Sequence, residues 1–151
     1  MAVAKGKSTY KDVIKKAKTD TIKRLDLAFQ DTCVEAVDRC ADLTPVDTGA
    51  AINHWFLRRQ PNENFDKERT DPEGELSKDR ARRDVLLFRA GQIVYAVNAA
   101  PYFKYLEDGS STQAPHGVVK IVKAQMGLFW SKRLKFRFSE DPKSGKSGRA
   151  K

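Results

Sequence analysis

The stretch that decides the fold is residues 8–43, STYKDVIKKAKTDTIKRLDLAFQDTCVEAVDRCADL. Apolar side chains recur through it at spacings near 3.6 residues, and no proline or glycine interrupts them. Ser8 or Thr9 can cap its beginning, and Pro45 ends it, because the residue before a proline avoids helical backbone angles. We expect one helix of roughly 50 Å, at about 1.5 Å per residue, which overhangs a small domain. Its apolar stripe comprises Ile14, Ile22, Leu25, Phe29, Cys33, Val37 and Cys40.

The two cysteines of the chain both lie in this helix. Cys33 and Cys40 are seven residues apart, which is roughly 10 Å along a helix axis and too far for a disulfide. We interpret them as small apolar core residues in a reducing compartment. The chain has no CxxC motif and no cysteine–histidine cluster, so we expect no metal and no cofactor.

A turn and a first strand follow the helix. Asp47, Thr48 and Gly49 predict a structural turn, since an Asp or Thr oxygen can accept hydrogen bonds from following amides and glycine adopts angles that other residues resist. Residues 51–59 alternate partly between apolar and polar and predict a strand. Residues 60–80 are polar, with two prolines and one glycine, and predict a long exposed loop.

The rest of the chain predicts a small sheet and two more helical segments. A short charged helix can occupy residues 73–84, and residues 85–89 and 92–98 predict strands joined by a tight hairpin at Gly91. Residues 102–107 predict one or two helical turns, with Tyr102 and Tyr105 packed against the sheet.

The C-terminal segment predicts a helix, a strand and a tail. Residues 118–132 favour a helix, residues 135–138 alternate like a short strand, and residues 139–151 predict a flexible basic tail. We therefore expect an α+β fold in a single domain over residues 1–138. In it, a long N-terminal helix packs on a mostly antiparallel sheet of three or four strands, with a C-terminal helix.

The charge is divided between a mildly acidic body and two basic ends. Residues 1–24 and 131–151 each hold eight basic residues against two acidic ones, whereas residues 25–130 hold thirteen against sixteen. Basic ends suit nucleic acid or an acidic protein surface, including head-to-tail packing of identical subunits.

Basic and aromatic residues interleave near the C-terminus, and two interpretations of this pattern stay open. Such a stretch can follow phosphates and stack bases, or it can be an edge strand with its basic face in water. The basic members are Lys132, Arg133, Lys135 and Arg137, and the apolar ones are Trp130, Leu134, Phe136 and Phe138.

No catalytic constellation emerges from the sequence. His54 and His116 are the only histidines, and no serine lies on a nucleophile elbow. The triplet at residues 47–49 matches that of aspartic proteases, but those enzymes need two facing carboxylates. The chain has no phosphate-binding loop and no dinucleotide glycine pattern. We expect no enzymatic activity. Without a signal peptide or a long apolar run, we expect production in the cytoplasm and no membrane association.

Two segments resemble a known family. The first is TPVDTGA at residues 44–50, followed by Asn53 and Trp55. The second comprises IVY at 93–95, NAAPY at 98–102, LEDGSS at 106–111 and QAPHG at 113–117. Their order, spacing and preceding long helix are similar to the tail-completion or neck proteins of long-tailed bacteriophages, often called minor tail components. The resemblance covers about residues 10–130.

The resemblance implies a structural virion protein. Its subunits would form a ring that matches the six-fold symmetry of the tail. The ring would dock to head-completion or connector proteins and to tail terminator or tail tube proteins, and DNA would pass through it. A basic nucleic-acid-binding protein acting through its two ends remains the alternative. The candidate interface residues are Tyr102, Tyr105, Glu107, Asp108, Ser110, Ser111, Lys132, Arg133, Lys135 and Arg137.

Overall fold

A computed structural model of the chain describes residue 6 and residues 8–139. Its fold is α+β, as the sequence predicts: a long N-terminal helix, a two-stranded antiparallel sheet and a C-terminal helix. Two short 3₁₀ helices occupy Ile52–His54 and Val85–Leu87. The other elements are α1 (Tyr10–Leu43), β1 (Trp55–Arg58), α2 (Glu75–Asp84), β2 (Tyr95–Asn98), α3 (Phe103–Glu107) and α4 (Val119–Ser139).

Helix α1 begins and ends where its capping residues predict. The Thr9 hydroxyl accepts from the Asp12 amide, and the Asp12 carboxylate accepts from the Thr9 amide, which satisfies two free donors of the first turn. The chain leaves the helix at Thr44, whose backbone is extended. Only the second half of α1 is buried, so the predicted overhang is present: residues 10–23 are all exposed.

The core lies between the second half of α1, the sheet and α4. Trp55, at the start of β1, is 1% exposed and meets Phe103 edge-on at 5.0 Å between ring centroids. Its indole N–H donates to the Thr44 hydroxyl at 2.9 Å, and that hydroxyl donates to the Cys40 carbonyl at 2.6 Å. Burial raises the pKa of the Cys40 thiol to about 12. Cys33 and Cys40 are both free, as predicted.

A row of acidic residues on α1 forms ion pairs with α2 and α4. Asp31, Glu35, Asp38 and Asp42 recur at helical spacing, and each forms an ion pair with a basic side chain of α2 or α4. The N–O distances are 2.8 Å for Arg137–Asp31 and Arg133–Glu35, 3.1 Å for Arg82–Asp38 and 2.8 Å for Lys78–Asp42. Because residue 137 lies beside residue 31 and residue 133 beside residue 35, α4 runs antiparallel to α1.

The sheet is smaller than the sequence predicts. It has two strands among the described residues rather than three or four, and β1 pairs with β2 with Trp55 opposite Asn98 and Arg58 opposite Tyr95. The predicted first strand, residues 51–59, begins as a 3₁₀ helix and becomes extended only at Trp55.

The predicted strand at residues 85–89 and its hairpin at Gly91 are wrong. Val85 and Phe88 are buried while Leu86 and Leu87 are 62% and 69% exposed, and this three-residue spacing fits a 3₁₀ turn that continues α2. The backbone of Phe88 is hydrogen-bonded to α1 and not to a neighbouring strand, because the Gln30 side-chain amide donates to the Phe88 carbonyl at 2.9 Å.

Residues 135–138 are helical, so the predicted strand there is also wrong. No proline or glycine separates them from residues 118–132, and Arg133 and Arg137, four residues apart, both face α1. The predicted helix of residues 118–132 is confirmed and extended to Ser139. The predicted tail at 139–151 lies outside the described residues from residue 140 onward.

The predicted exposed loop ends earlier than residue 80, because α2 begins at Glu75. Buried His54 anchors the loop. Its Nδ1 lies 2.6 Å from the Ala50 carbonyl and its Nε2 accepts from the Asp66 amide at 3.1 Å. A carbonyl can only accept and an amide can only donate, so Nδ1 is the donor and Nε2 the acceptor of this ring.

Among the helices of the described residues, none combines the length and the apolar character that crossing a membrane requires.

Candidate functional site

Two stretches that are far apart in the sequence line one surface cleft of about 270 Å³. One wall is the turn after α1, residues 45–51, which contains the predicted Asp47, Thr48 and Gly49. The other wall comprises Tyr102, Leu106, Ser111 and Gln113. We call this the turn cleft. It brings together five of the residues that the sequence singled out.

Gly49 forms the floor of the turn for a steric reason. Its φ is +85°, and a Cβ at this position would lie 2.6 Å from the backbone nitrogen of Pro72. Its carbonyl accepts from the Asn53 and Asp71 amides at 3.2 and 3.1 Å. The hydroxyl of Thr48 accepts from the Ala50 amide at 3.3 Å. The predicted structural turn is therefore present, and it also holds the end of the 60–74 loop.

Gln113 joins the two walls of the turn cleft. Its side-chain oxygen accepts from the Val46 amide at 3.1 Å, and its side-chain nitrogen donates to the Val46 carbonyl at 3.3 Å. The hydroxyl of Ser111 accepts from the Gln113 amide at 3.2 Å. Gln113 has no predicted role in the sequence, because its partner is 67 residues away and no local pattern connects the two residues.

Tyr102 is a wall of the cleft, whereas the predicted packing role of the two tyrosines belongs mainly to Phe103. Tyr102 is 38% exposed and meets Phe65 edge-on at 5.8 Å. Burial, and then the charge of Asp47, raise the pKa of its phenol, while a hydrogen bond from the Ala51 backbone opposes them. Tyr105 is 67% exposed and does not pack on the sheet. Phe103, 9% exposed, occupies that place.

Glu107 is used inside the chain rather than displayed to a partner. Its carboxylate accepts from the Val118 and Val119 amides at 2.8 Å and from the Lys120 amide at 2.9 Å. Burial alone would raise the pKa of this carboxyl, but the three backbone hydrogen bonds hold it below its ordinary value. Glu107 thus caps α4 at its positive dipole end.

The turn after α3 leaves only part of the predicted interface exposed. Asp108 and Ser110 are exposed, and Ser111 is half-buried in the turn cleft. Gly109 and Gly117 both have positive φ, and a Cβ on either would lie 2.5 Å from a carbonyl oxygen. The two glycines therefore let the turn pack closely against its own backbone, while Asp108 and Ser110 stay exposed to solvent.

The four basic residues that the sequence singles out in α4 divide into two sets. Arg133 and Arg137 pair with Glu35 and Asp31 of α1, each at 2.8 Å. Lys132 and Lys135 are exposed on the outer side of the helix. Only these two lysines of the predicted basic set face solvent without an ion pair among the described residues.

The two histidines and Asp47, the candidates for catalysis in the sequence, do not form a catalytic site in the described structure. His54 is 1% exposed and both its ring nitrogens are used, whereas His116 is exposed. Asp47 faces Tyr102 across the turn cleft, and no second carboxylate of residues 8–139 lines it. In the part of the chain that the structure describes, no group of three His, Cys, Asp or Glu side chains could hold a metal ion.

Comparisons with known proteins found no match to this chain among protein-family models, curated proteins or solved structures.

Proposed function

We propose that this chain is a structural subunit of a ring in the neck of a long-tailed bacteriophage virion. The ring completes the tail and joins it to the head, and its subunits line the DNA path. Its neighbours are head-completion or connector proteins on one side and tail terminator or tail tube proteins on the other. The motif segments at residues 44–55 and 93–117 support this proposal by their resemblance to that family.

The observation that carries the proposal is the overhang of α1, which we define as residues 10–23. Tyr10, Val13 and Ile14 are 80%, 55% and 50% exposed on it. A helix of this length is marginal in water when nothing packs against it. An assembly subunit uses such an element, because a neighbour supplies the packing that its own body does not.

The arrangement of the motif residues favours a structural role over catalysis. The turn cleft has walls tied together by Gln113 and a floor set by Gly49, and its polar groups bond to backbone. Tyr102 and Asp47 are the titratable groups that line it. Among the described residues that line the cleft, no histidine, cysteine or lysine is present to act with them as a catalytic base or nucleophile, which favours docking over catalysis.

The test is the mass of the purified full chain by light scattering, alone and mixed with tail or neck extracts, at low and moderate salt. We expect a ring, or a monomer that enters one only with these extracts. A ring held through apolar contacts should survive moderate salt. A chain that stays monomeric with every extract would overturn the proposal.

A basic nucleic-acid-binding protein is the second candidate, because exposed lysines of two elements share one end of the molecule. The Arg24 side chain donates to the Arg137 and Phe138 carbonyls, so the end of α4 lies where the overhang leaves the body. DNA binding through these lysines would weaken steeply with salt, since each neutralised phosphate releases counterions. Steep salt dependence together with a constant monomer mass would favour this candidate.

A further inference from the structure

We infer that the overhang of one subunit docks into the turn cleft of the next copy of this chain, so that the ring closes head to tail. This inference rests on the proposed ring and specifies which two faces form its joint. Four features of the chain support it: the shape of the overhang, its charge, the charge around the cleft and the distance between the two.

The overhang has the form of a helix built to pack along one side. Tyr10, Ile14, Ala17 and Thr21 recur at spacings of four, three and four residues, which is the seam pattern of helices that bury one face against a partner. Tyr10 stands at its tip and is 80% exposed. Tyrosine buries a large apolar area and keeps a polar end, so it is a frequent anchor of interfaces.

The charge of the overhang selects an acidic partner. It carries five lysines and two aspartates, so two overhangs placed side by side would repel each other. Lys11, Lys15 and Lys18 form a row beside the apolar seam, again at helical spacing. A surface that accepts this helix must therefore combine an apolar recess with negative charge.

The turn cleft lies within such a surface, which we call the acidic pole. Pro45, Val46 and Leu106 supply apolar walls, and a volume of about 270 Å³ suits one or two side chains rather than a whole helix. The acidic residues of this pole lie in two segments, Asp42 and Asp47 at the end of α1 and in the turn, and Asp71, Glu73 and Glu75 around the start of α2.

Contacts of the described residues bring these two acidic segments together. The Lys78 ammonium bonds to Asp42 at 2.8 Å and to Glu75 at 3.2 Å. The Asp71 amide donates to the carbonyl of Gly49, in the floor of the cleft. The last turn of α1 contains no basic residue, so the negative end of its dipole adds to the same potential.

The two faces lie at opposite ends of one rigid helix and cannot meet within a chain. From Ile14 to Asp42 is 28 residues, or about 42 Å of α-helix. Two different faces that recognise each other across such a distance form a heterologous interface, and repetition of that interface with a closing rotation generates a ring.

The experiment uses two charge-reversed full-length chains. Lys11→Glu/Lys15→Glu reverses the charge of the overhang. Asp47→Lys/Glu73→Lys replaces two carboxylates of the acidic pole, of which Asp47 lines the cleft. None of these side chains has an ion pair in the described structure. Glutamate near a helix N-terminus is favourable, so the overhang stays helical, which circular dichroism checks. Arg83→Glu/Lys123→Glu is the control, because both side chains are exposed, lie outside the overhang and the cleft, and undergo the same charge change.

We expect each reversed chain to assemble at least about tenfold more weakly than the wild type, because like charges then face each other. The control should assemble as the wild type does. An equal mixture of the two reversed chains should regain assembly, since each overhang now meets an oppositely charged cleft. That mixture alternates two subunits, so it closes only with an even number of copies.

The outcomes separate this inference from the proposed function. If the wild type forms rings and both reversed chains form them equally well, the docking inference is wrong and the ring stands. If both reversed chains fail and their mixture fails too, the two faces bind different partners, which also overturns the inference. If the wild type forms no assembly even in tail and neck extracts, the proposed function itself fails.

Discussion

At the scale of single residues, Gly49 offers the clearest prediction. Gly49→Ala must tolerate a φ of +85° and a Cβ 2.6 Å from a backbone atom of the 60–74 loop. Gly91→Ala is the matched control, since its φ is +90° but nothing lies within 4 Å of its added Cβ. We expect the control to lose about 1–2 kcal/mol of unfolding free energy and Gly49→Ala about 1–3 kcal/mol more. Urea unfolding measures both, and equal losses would show that the loop yields to the added methyl.

Thr44 offers a second test at this scale, because its hydroxyl links the Trp55 indole to the Cys40 carbonyl. Thr44→Val keeps the shape and leaves a buried N–H without an acceptor, so we expect a loss of about 1–3 kcal/mol. Thr19→Val is the control: its hydroxyl also bonds the carbonyl four residues earlier, but it is exposed. There we expect a change within about 0.5 kcal/mol. A similar loss in both variants in thermal or urea unfolding would contradict this account.

Which site residues the sequence predicts depends on whether their contacts are local. The turn at residues 47–49 was predictable, because the Thr48 hydroxyl bonds an amide two residues on and the positive φ of Gly49 is a local property. Gln113 was not, since its two bonds reach Val46 across the fold. The packing of Phe103 in place of Tyr105 likewise depends on the position of Trp55, which only the assembled core determines.

At the scale of elements, the cap of α4 predicts a pH dependence. The folded-state pKa of Glu107 lies below its ordinary value of 4.5, so its carboxylate contributes stability that is present above that pH and is lost on acidification. We expect Glu107→Gln to lower the unfolding free energy at pH 7 by about 1 kcal/mol, and the difference from wild type to shrink as pH falls below 4.5.

The measurement is urea unfolding of both proteins between pH 7 and pH 3. Glu68→Gln is the control, because the Glu68 side chain is 82% exposed and caps no helix. A difference between wild type and Glu107→Gln that stays constant across this pH range would show that the capping charge contributes nothing.

Elements with a long uninterrupted period were predictable, and short apolar runs were not. Helix α1 was predicted to within two residues, since thirty-four residues of one stripe with caps at both ends have no competing interpretation. Residues 85–89 are too few to distinguish the period of a strand from that of a helix. In the structure α2 continues directly into a 3₁₀ helix at Val85–Leu87. Residues 135–138 alternate, but the i,i+4 spacing of Arg133 and Arg137 was the stronger signal, matching Asp31 and Glu35 on α1.

At the scale of the whole molecule, the fold separates opposite charges along one axis. The acidic row of α1 pairs with Arg133 and Arg137 within the chain. The five lysines and two aspartates of the overhang have no such ion pair in the described structure and leave the overhang with a net positive charge. The acidic pole lies at the other end, beside the turn cleft. Within one chain the overhang cannot reach the acidic pole. We therefore expect the stability of the fold and the assembly of subunits to depend on different residues.

The overhang should therefore affect assembly and leave the folded body unchanged. Tyr10→Ala/Ile14→Ala removes two side chains of the overhang that are 80% and 50% exposed. At low protein concentration we expect the same melting temperature as wild type, because surface changes of this kind shift the unfolding free energy by less than about 0.5 kcal/mol. The wild-type melting temperature should rise with protein concentration, since association stabilises the folded state by mass action. In the double variant that rise should be small.

Leu128→Ala, at a site 54% exposed on α4, is the control and should keep the wild-type dependence of melting temperature on protein concentration. An equal loss of that dependence in the control would mean that exposed apolar area in general, rather than the overhang, drives association.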